Sequence, residues 1–279
     1  MKALKDHKFF KNYTKAIREE KNLKPLSYKK VLNLDKKVIG NGFHKRIFDQ
    51  DLYKLIKEKK IKLPERIYFE AVYSQMAQNT AYEARRFLKK AKPSKKSFLA
   101  LEFCTGSGSQ TYAFVKKGFD VFTVDRNPQI LKWAKENFKK LKIKGNDLVF
   151  HLGSLEDFFK DRHFKTTLGS NKVDLIYADP PWGGSYYKSL ESTFLWEYMN
   201  PDGRDIVREC IDKAVAVCLK LPFNMPIELI YDLVKQLKLS ALVINQELVL
   251  GERVIKERVV FFSKQNYLES AFEIRENKL

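Results

Sequence analysis

The chain has 279 residues, 44% of them hydrophobic and 13% aromatic, which suffices for a full core in one large domain or in a domain with an extension. No apolar run approaches the roughly 18 residues that cross a bilayer, and Met1-Lys-Ala-Leu-Lys-Asp6 lacks the apolar stretch of a secretory signal, so an intracellular protein of the cytoplasm or nucleus is expected. The net charge of +19 is unevenly placed, 27 Lys+Arg against 10 Asp+Glu in residues 1–100 and 26 against 24 thereafter, which points the first third at a polyanion such as a nucleic acid.

Residues 1–42 are lysine-rich, and Phe9, Phe10, Tyr13 and Ile17 recur at helical spacing, so a basic amphipathic helix is expected there. The pattern breaks at Gly40-Asn-Gly42. A second helix is expected over Lys45–Lys60, with Ile47, Leu52, Leu55 and Ile56 as its apolar face and Pro64 as its stop. A third is expected over Ala71–Lys90, whose Arg85, Arg86, Lys89 and Lys90 suit the negative end of the helix dipole. Ala91-Lys-Pro-Ser-Lys-Lys96 is a breaker. It divides the chain into a basic helical extension, 1–95, suited to a nucleic acid, and a second domain, 96–279.

From Phe98 the texture changes to alternating strand and helix. Strands are expected at Phe98–Phe103, Val121–Val124, Leu148–Leu152, Val173–Ala178, Val215–Leu221, Ala241–Leu250 and Arg253–Ser263. Helices are expected at Gln110–Lys117, Pro128–Leu141, Leu155–Lys160, Asp205–Ala214 and Ile227–Leu237. This is an α/β, Rossmann-like, doubly wound sheet of seven strands with a C-terminal antiparallel hairpin turning at Gly251. Cys104, Cys210 and Cys218 are odd in number and scattered, so they read as core residues and not as a disulfide framework or zinc site. None of the four histidines is paired at metal-ligand spacing, and no metal is expected. Trp133, inside a helix, also reads as core.

Chemistry concentrates in Asp174-Leu-Ile-Tyr-Ala-Asp-Pro-Pro-Trp-Gly-Gly184. A short apolar strand runs into a turn in which Pro180 and Pro181 fix the backbone and remove two donors. Asp179, preceding a proline, is pushed toward an extended conformation. The strand therefore ends in free carbonyls and a carboxylate, with the flat face of Trp182 beside them. A planar group bearing an exocyclic amine suits this turn. Its ring stacks on Trp182, and its NH2 donates to Asp179 and to a carbonyl near Pro180. Trp196, with Tyr186, Tyr187 and Phe194, reads either as a lid over this turn or as ordinary packing.

A second constellation follows the first strand: Glu102-Phe-Cys-Thr105-Gly106-Ser-Gly108. Glycines between strand and helix let a cofactor approach the backbone, and Asp125, 23 residues after Glu102 and followed by Arg126, can accept from ribose hydroxyls. In a sheet ordered 3-2-1-4-5 the first and fourth strands are neighbours, and ligands bind at their carboxyl ends. Glu102, Gly106 and Gly108 should therefore stand beside Asp179 and Trp182. Lys220 and Asn224, at the end of the fifth strand, should lie near the same place.

These motifs resemble those of class I S-adenosylmethionine-dependent methyltransferases acting on amino groups, and more closely the RNA cap guanine-N2 methyltransferases, the trimethylguanosine synthases. Asp179-Pro-Pro-Trp-Gly-Gly184 is similar to that family's Ser-Pro-Pro-Trp-Gly-Gly. Leu219-Lys-Leu-Pro-Phe-Asn224 is similar to its Leu-Pro-Arg/Lys-Asn strand end, and the closing hairpin also matches. The resemblance covers about 98–263. It implies an S-adenosylmethionine cofactor held by Glu102, Thr105, Gly106, Gly108, Asp125, Arg126, Ser154, Leu155 and Asp179. It implies a catalytic turn of Asp179, Pro180, Pro181 and Trp182, and a guanine or capped-RNA substrate meeting Trp182, Tyr186, Lys220 and Asn224.

Two departures bear on the acceptor. Aspartate stands where the family has serine, as in adenine-N6 and some ribosomal RNA methyltransferases, and Ser154 replaces an acidic residue near the adenine. The expected reaction is in-line transfer to an amine nitrogen, with guanine N2 of a capped RNA as acceptor. Guanine N2 or adenine N6 in ribosomal RNA, transfer RNA or DNA is the alternative. An RNA-binding protein with an idle cofactor site is a third reading.

Overall fold

Strands β1 (Phe98–Phe103), β2 (Phe119–Asp125), β3 (Leu148–Leu152), β4 (Val173–Ala178) and β5 (Ala214–Pro222) pair in parallel in the order 3-2-1-4-5. The computed structural model that gives this sheet describes residues 24, 25, 27, 29, 52–64, 72–144, 148–155, 157, 173–182, 195–250 and 253–279. The basic helix expected before residue 42, and the turn at Gly251, lie outside those residues. β7 (Arg253–Ser263) joins β5 antiparallel and β6 (Ser240–Leu250) joins β7 antiparallel, which is the expected hairpin.

One strand was not anticipated. β8 (Phe272–Lys278) pairs in parallel with β6 and makes the sheet eight-stranded, in the order 3-2-1-4-5-7-6-8. Its sequence, Phe-Glu-Ile-Arg-Glu-Asn-Lys, holds no apolar run. An edge strand does not need one, and its charges discourage further pairing.

The described helices are α1 (Leu52–Glu58), α2 (Ser74–Ala91), α3 (Ser109–Lys116), α4 (Pro128–Lys140), α5 (Leu195–Tyr198), α6 (Gly203–Cys210) and α7 (Ile227–Leu237). α4 begins at an Asn127 cap, whose side chain accepts from the amides of Gln129 and Ile130, with proline at the first turn. The helix expected over Asp205–Ala214 is shifted back, because Asp202 caps it by accepting from Arg204 and because Ala214 already belongs to β5.

Strand alternation sorts the core into two layers. Phe103, Ile176, Leu219 and Val260 face one layer, closed by Val207 of α6 and Ile230 of α7. Ala100, Leu175, Cys218 and Phe261 face the other, closed by Phe114 of α3 and by α2. Ala77, Ala81 and Ala84 put small side chains on the sheet-facing side of α2, which lets the helix approach closely. Phe87, on the same face, stacks on Phe261, and burial of such a side chain contributes about 1.5–3 kcal/mol.

Asp174, fully buried at the start of β4, accepts from the Leu99 amide at 2.8 Å and from the ammonium groups of Lys92 and Lys95 at 2.8 and 2.6 Å. It ties the segment after α2 to the amino margin of the sheet. The carboxyl margin is left for chemistry.

Candidate active site

β1 and β4 run in register, with Glu102 opposite Tyr177 and Phe103 opposite Ala178, so Glu102 and Asp179 emerge at one margin. Asp125 closes β2 on the other side of β1, where Phe103 is opposite Val124. Gly153 donates its amide to the Asp125 carbonyl at 3.1 Å, which brings the exit of β3, with Ser154 and Leu155, to the same margin. The neighbourhood that the strand order predicts is therefore present.

The loop after β1 turns through positive φ at Cys104 (67°), Gly106 (51°) and Gly108 (81°). The amides of Cys104 and Thr105 bond to the Val124 carbonyl at 2.9 and 3.3 Å, and Thr105 Oγ1 meets Thr123 Oγ1 at 2.6 Å. Gly106 donates its amide to Asp125 Oδ2 at 3.2 Å, while Asp125 Oδ1 accepts from Asn127 at 2.8 Å. A Cβ at Gly108 would lie 2.9 Å from Phe138 Cε2, so this turn requires glycine on grounds of both space and φ. Cys104 lies at the edge of the core, packed against the layer of Phe103. It is half-buried in the left-handed turn, whereas Cys210 and Cys218 are buried.

Glu102 is fully buried. Its Oε2 accepts from Thr111 Oγ1 at 2.6 Å, and its Oε1 has no partner among the described residues. Burial lifts its pKa to about 8, against the pull of Thr111 and Thr123 and with a further rise from Asp179 and Asp125.

Across the margin, Asp179 Oδ2 lies 3.1 Å from Lys220 Nζ, which also lies 3.4 Å from Glu257 Oε2. Burial holds both carboxyls above their ordinary values, opposed by Lys220. Burial pulls the Lys220 ammonium down, but the two carboxylates outweigh it and raise its pKa. Trp182 donates Nε1–H to the Lys220 carbonyl at 3.2 Å, and Lys220 Nζ sits 5.1 Å over the indole centroid. Pro180 is buried, and the Pro181 carbonyl accepts from the Asn200 amide at 3.3 Å.

Ser154 caps the turn that follows β3: its Oγ accepts from the Asp157 amide at 3.1 Å and donates to Asp157 Oδ2 at 2.7 Å. Leu155 is buried in the core layer of Phe103, whereas Arg126 and Asn224 are exposed. Tyr186, Gly183 and Gly184 lie outside the described residues. Trp133 is buried as expected. Trp196 is packing, not lid: it is buried, and its ring lies against Gly203, where a Cβ would come within 2.7 Å. Among the described residues no group of His, Cys, Asp and Glu could hold a metal ion.

Sequence reading missed Glu257, Gln246 and Thr111. A signal existed for the first two. Glu257 shares strand parity with the inward Val259 and Phe261, and Gln246 with Ile244 and Leu248. Polar residues at inward strand positions need a reason.

Three carboxyl groups, those of Glu102, Asp125 and Asp179, gather at one margin, and Asp179 and Asp125 add to burial in raising the pKa of Glu102. A buried carboxyl oxygen with no partner among the described residues and a loop that admits no side chain at Gly108 fit a cationic, nucleoside-bearing cofactor. A margin of this kind on a doubly wound sheet is that of a class I S-adenosylmethionine-dependent methyltransferase. Within the class the match is specific: residues 98–270, more than half of the chain, match the RNA cap guanine-N2 methyltransferase family, and the chain belongs to that family. Solved structures agree on the fold. The delta-N METTL16 MTase domain superposes with a TM-score of 0.56 at 8% identity, over 76% of this chain and 92% of that one. A second METTL16 MTase domain gives 0.51 at 11%, over 77% and 78%. A human methyltransferase 10 domain containing protein gives 0.50 at 9%, over 68% and 82%.

Proposed function

We propose that the chain methylates an exocyclic amine of an RNA base, guanine N2 of a capped RNA being the acceptor. The observation that carries this reading is the Asp179 carboxylate: Oδ2 is held by Lys220 at 3.1 Å, Oδ1 takes no hydrogen bond from a described residue, and the β1 loop stands on the neighbouring strand. Asp179 and the Pro180 carbonyl accept the two N–H bonds of the amine and turn its lone pair inward, while Trp182 supports the base. S-adenosylmethionine supplies a methyl group on a cationic sulfur. Glu102, Thr105, Gly106 and Gly108 hold its methionine end, Asp125 and Arg126 its ribose, and Ser154 and Leu155 neighbour its adenine. Orientation does most of the catalytic work. No strong base is required, because the methylated nitrogen is already cationic and sheds its proton readily.

The basic part of the chain before residue 96 grips the RNA, inside the cell. α2 serves both parts. Its apolar face completes the catalytic core, and its Tyr82, Glu83, Arg86, Lys89 and Lys90, with Arg275, line a cavity of about 440 Å³, where Glu83 pairs with Arg86 and Arg275 while the exposed Tyr82 and Lys90 suit a stacked base and a phosphate.

A specific residue favours a second reading. Aspartate in place of the family serine fits an amine on another base, guanine N2 or adenine N6, in ribosomal RNA, transfer RNA or DNA. Nucleoside mass spectrometry after incubation with labelled cofactor decides between them, with cap analogue, bulk RNA and DNA as acceptors. Label in N2-methylguanosine from the cap analogue alone supports the first reading. Absence of label from every amine overturns both.

A further inference from the structure

A polar chain runs through the apolar layer beneath α2 and ends at Asp179. Lys220, Glu257 and Gln246 are 4%, 6% and 0% exposed, on three consecutive strands. Glu257 is the register partner of Pro222 on β5 and of Gln246 on β6, and Gln246 is the partner of Asn277 on β8. Gln246 donates Nε2–H to Glu257 Oε1 at 3.2 Å and to Thr80 Oγ1 at 2.8 Å, and its Oε1 accepts from Asn79 at 3.0 Å. Glu257 Oε2 reaches Lys220 Nζ, which reaches Asp179 Oδ2.

Burying such a row costs more than an apolar row of the same size, so it calls for a purpose beyond stability. Its geometry supplies one. An ammonium between two carboxylates cannot give itself wholly to either. Without Glu257, the Lys220 ammonium would be left to Asp179 alone and free to turn onto both of its oxygens.

We propose that Glu257 is a positioning residue for methyl transfer. It holds the Lys220 ammonium midway, so that Lys220 fixes one oxygen of Asp179 and leaves the other to the acceptor amine, and Gln246 in turn fixes Glu257. This rests on the reading of Asp179 as the residue that orients the amine. The hairpin, remote from the cofactor loop, thereby belongs to the catalytic apparatus, and α2 joins the two, since its Ala77 carbonyl accepts from Gln110 just past that loop at 3.2 Å.

The test compares Glu257→Gln, Lys220→Met and the double variant with the full-length wild type, on whichever RNA acceptor the wild type methylates. S-adenosylhomocysteine calorimetry reports that each variant is folded. Because a misplacement of about 1 Å costs on the order of a hundredfold, E257Q should lower kcat by about ten- to a hundredfold and leave cofactor affinity within about twofold. E257Q should add nothing to K220M, since it acts only through Lys220. An unchanged kcat, independent losses that multiply in the double variant, or a loss confined to KM overturns the proposal. If the wild type methylates no amine, the functional reading fails, and NMR of the Lys220 ammonium still decides the ladder. A slowly exchanging signal in the wild type that is lost in E257Q supports it, and persistence of that signal in E257Q overturns it.

Discussion

Glu102 and Asp179 stand at the same margin of the sheet on neighbouring parallel strands, Glu102 opposite Tyr177 and Asp179 two residues further along the chain. The Asp179 charge therefore adds to burial in raising the pKa of Glu102, and the loop proposed to receive the cofactor abuts the turn proposed to orient the acceptor.

Asp179→Ala should remove the carboxylate proposed to orient the amine and leave the β1 loop intact. The expected result is a fall in the methyl-transfer step of about a hundredfold, with S-adenosylhomocysteine affinity changed by no more than a few-fold. Single-turnover kinetics and calorimetry separate the two. Transfer at the wild-type rate would remove Asp179 from the catalytic assignment.

Lys220→Met leaves Asp179 and Glu257 buried without their shared cation. Removing one partner of a buried pair costs about 3–5 kcal/mol, and the partial exposure of Asp179, 20% at its side chain, puts the expected loss at the lower end. Urea unfolding measures it, and a loss below about 1 kcal/mol would mean that the cluster is solvated.

Glu102 makes stability depend on pH. Its folded pKa is about 8 against an ordinary 4.5, so the folded state holds a proton that the unfolded state releases. The stabilisation is complete below about pH 4.5, declines as pH rises and is lost above about 8. Asp179 and Glu257, also raised, act in the same direction. In Glu102→Gln the Glu102 contribution is absent. The stability of wild type relative to variant should therefore decrease steadily between those pH values in denaturant titrations.

Gly108→Ala places a Cβ at φ +81° and 2.9 Å from Phe138 Cε2. The left-handed conformation alone costs about 1–2 kcal/mol, and Phe138 must also shift. Thermal unfolding should register the loss, with weaker S-adenosylhomocysteine binding as the loop distorts. Unaltered values for both would mean that the turn relaxes.

Lys90, exposed at the rim of the α2 cavity, makes a direct test of the proposed RNA surface. Lys90→Gln should weaken binding to all RNA sequences alike and lower the slope of log affinity against log salt by about 1. An unchanged slope would place the phosphate path elsewhere.

The alternation of strand and helix, the glycines after β1 and the Asp-Pro-Pro-Trp turn were legible in the chain because each is a local property: period two, period 3.6, and the fixed dihedrals of proline. The 3-2-1-4-5 order followed, because parallel strands joined by right-handed crossovers leave few alternatives. β8 was hidden, since a charged edge strand lacks the apolar signature of an inner one. Cys104 reads as core by residue type and packs at the edge of it, while its left-handed φ is set by the turn it occupies.

What only the tertiary structure decided is the company that Asp179 keeps. Lys220, Glu257 and Gln246 read singly as ordinary charged or polar strand residues, and no local pattern joins them. They meet because β5, β7 and β6 pair in one particular register and because strand parity turns all three toward α2. A register shift of one residue would send each side chain to the opposite face. Pairing between distant segments, unlike a turn or a helix period, is settled by the packing of the whole sheet.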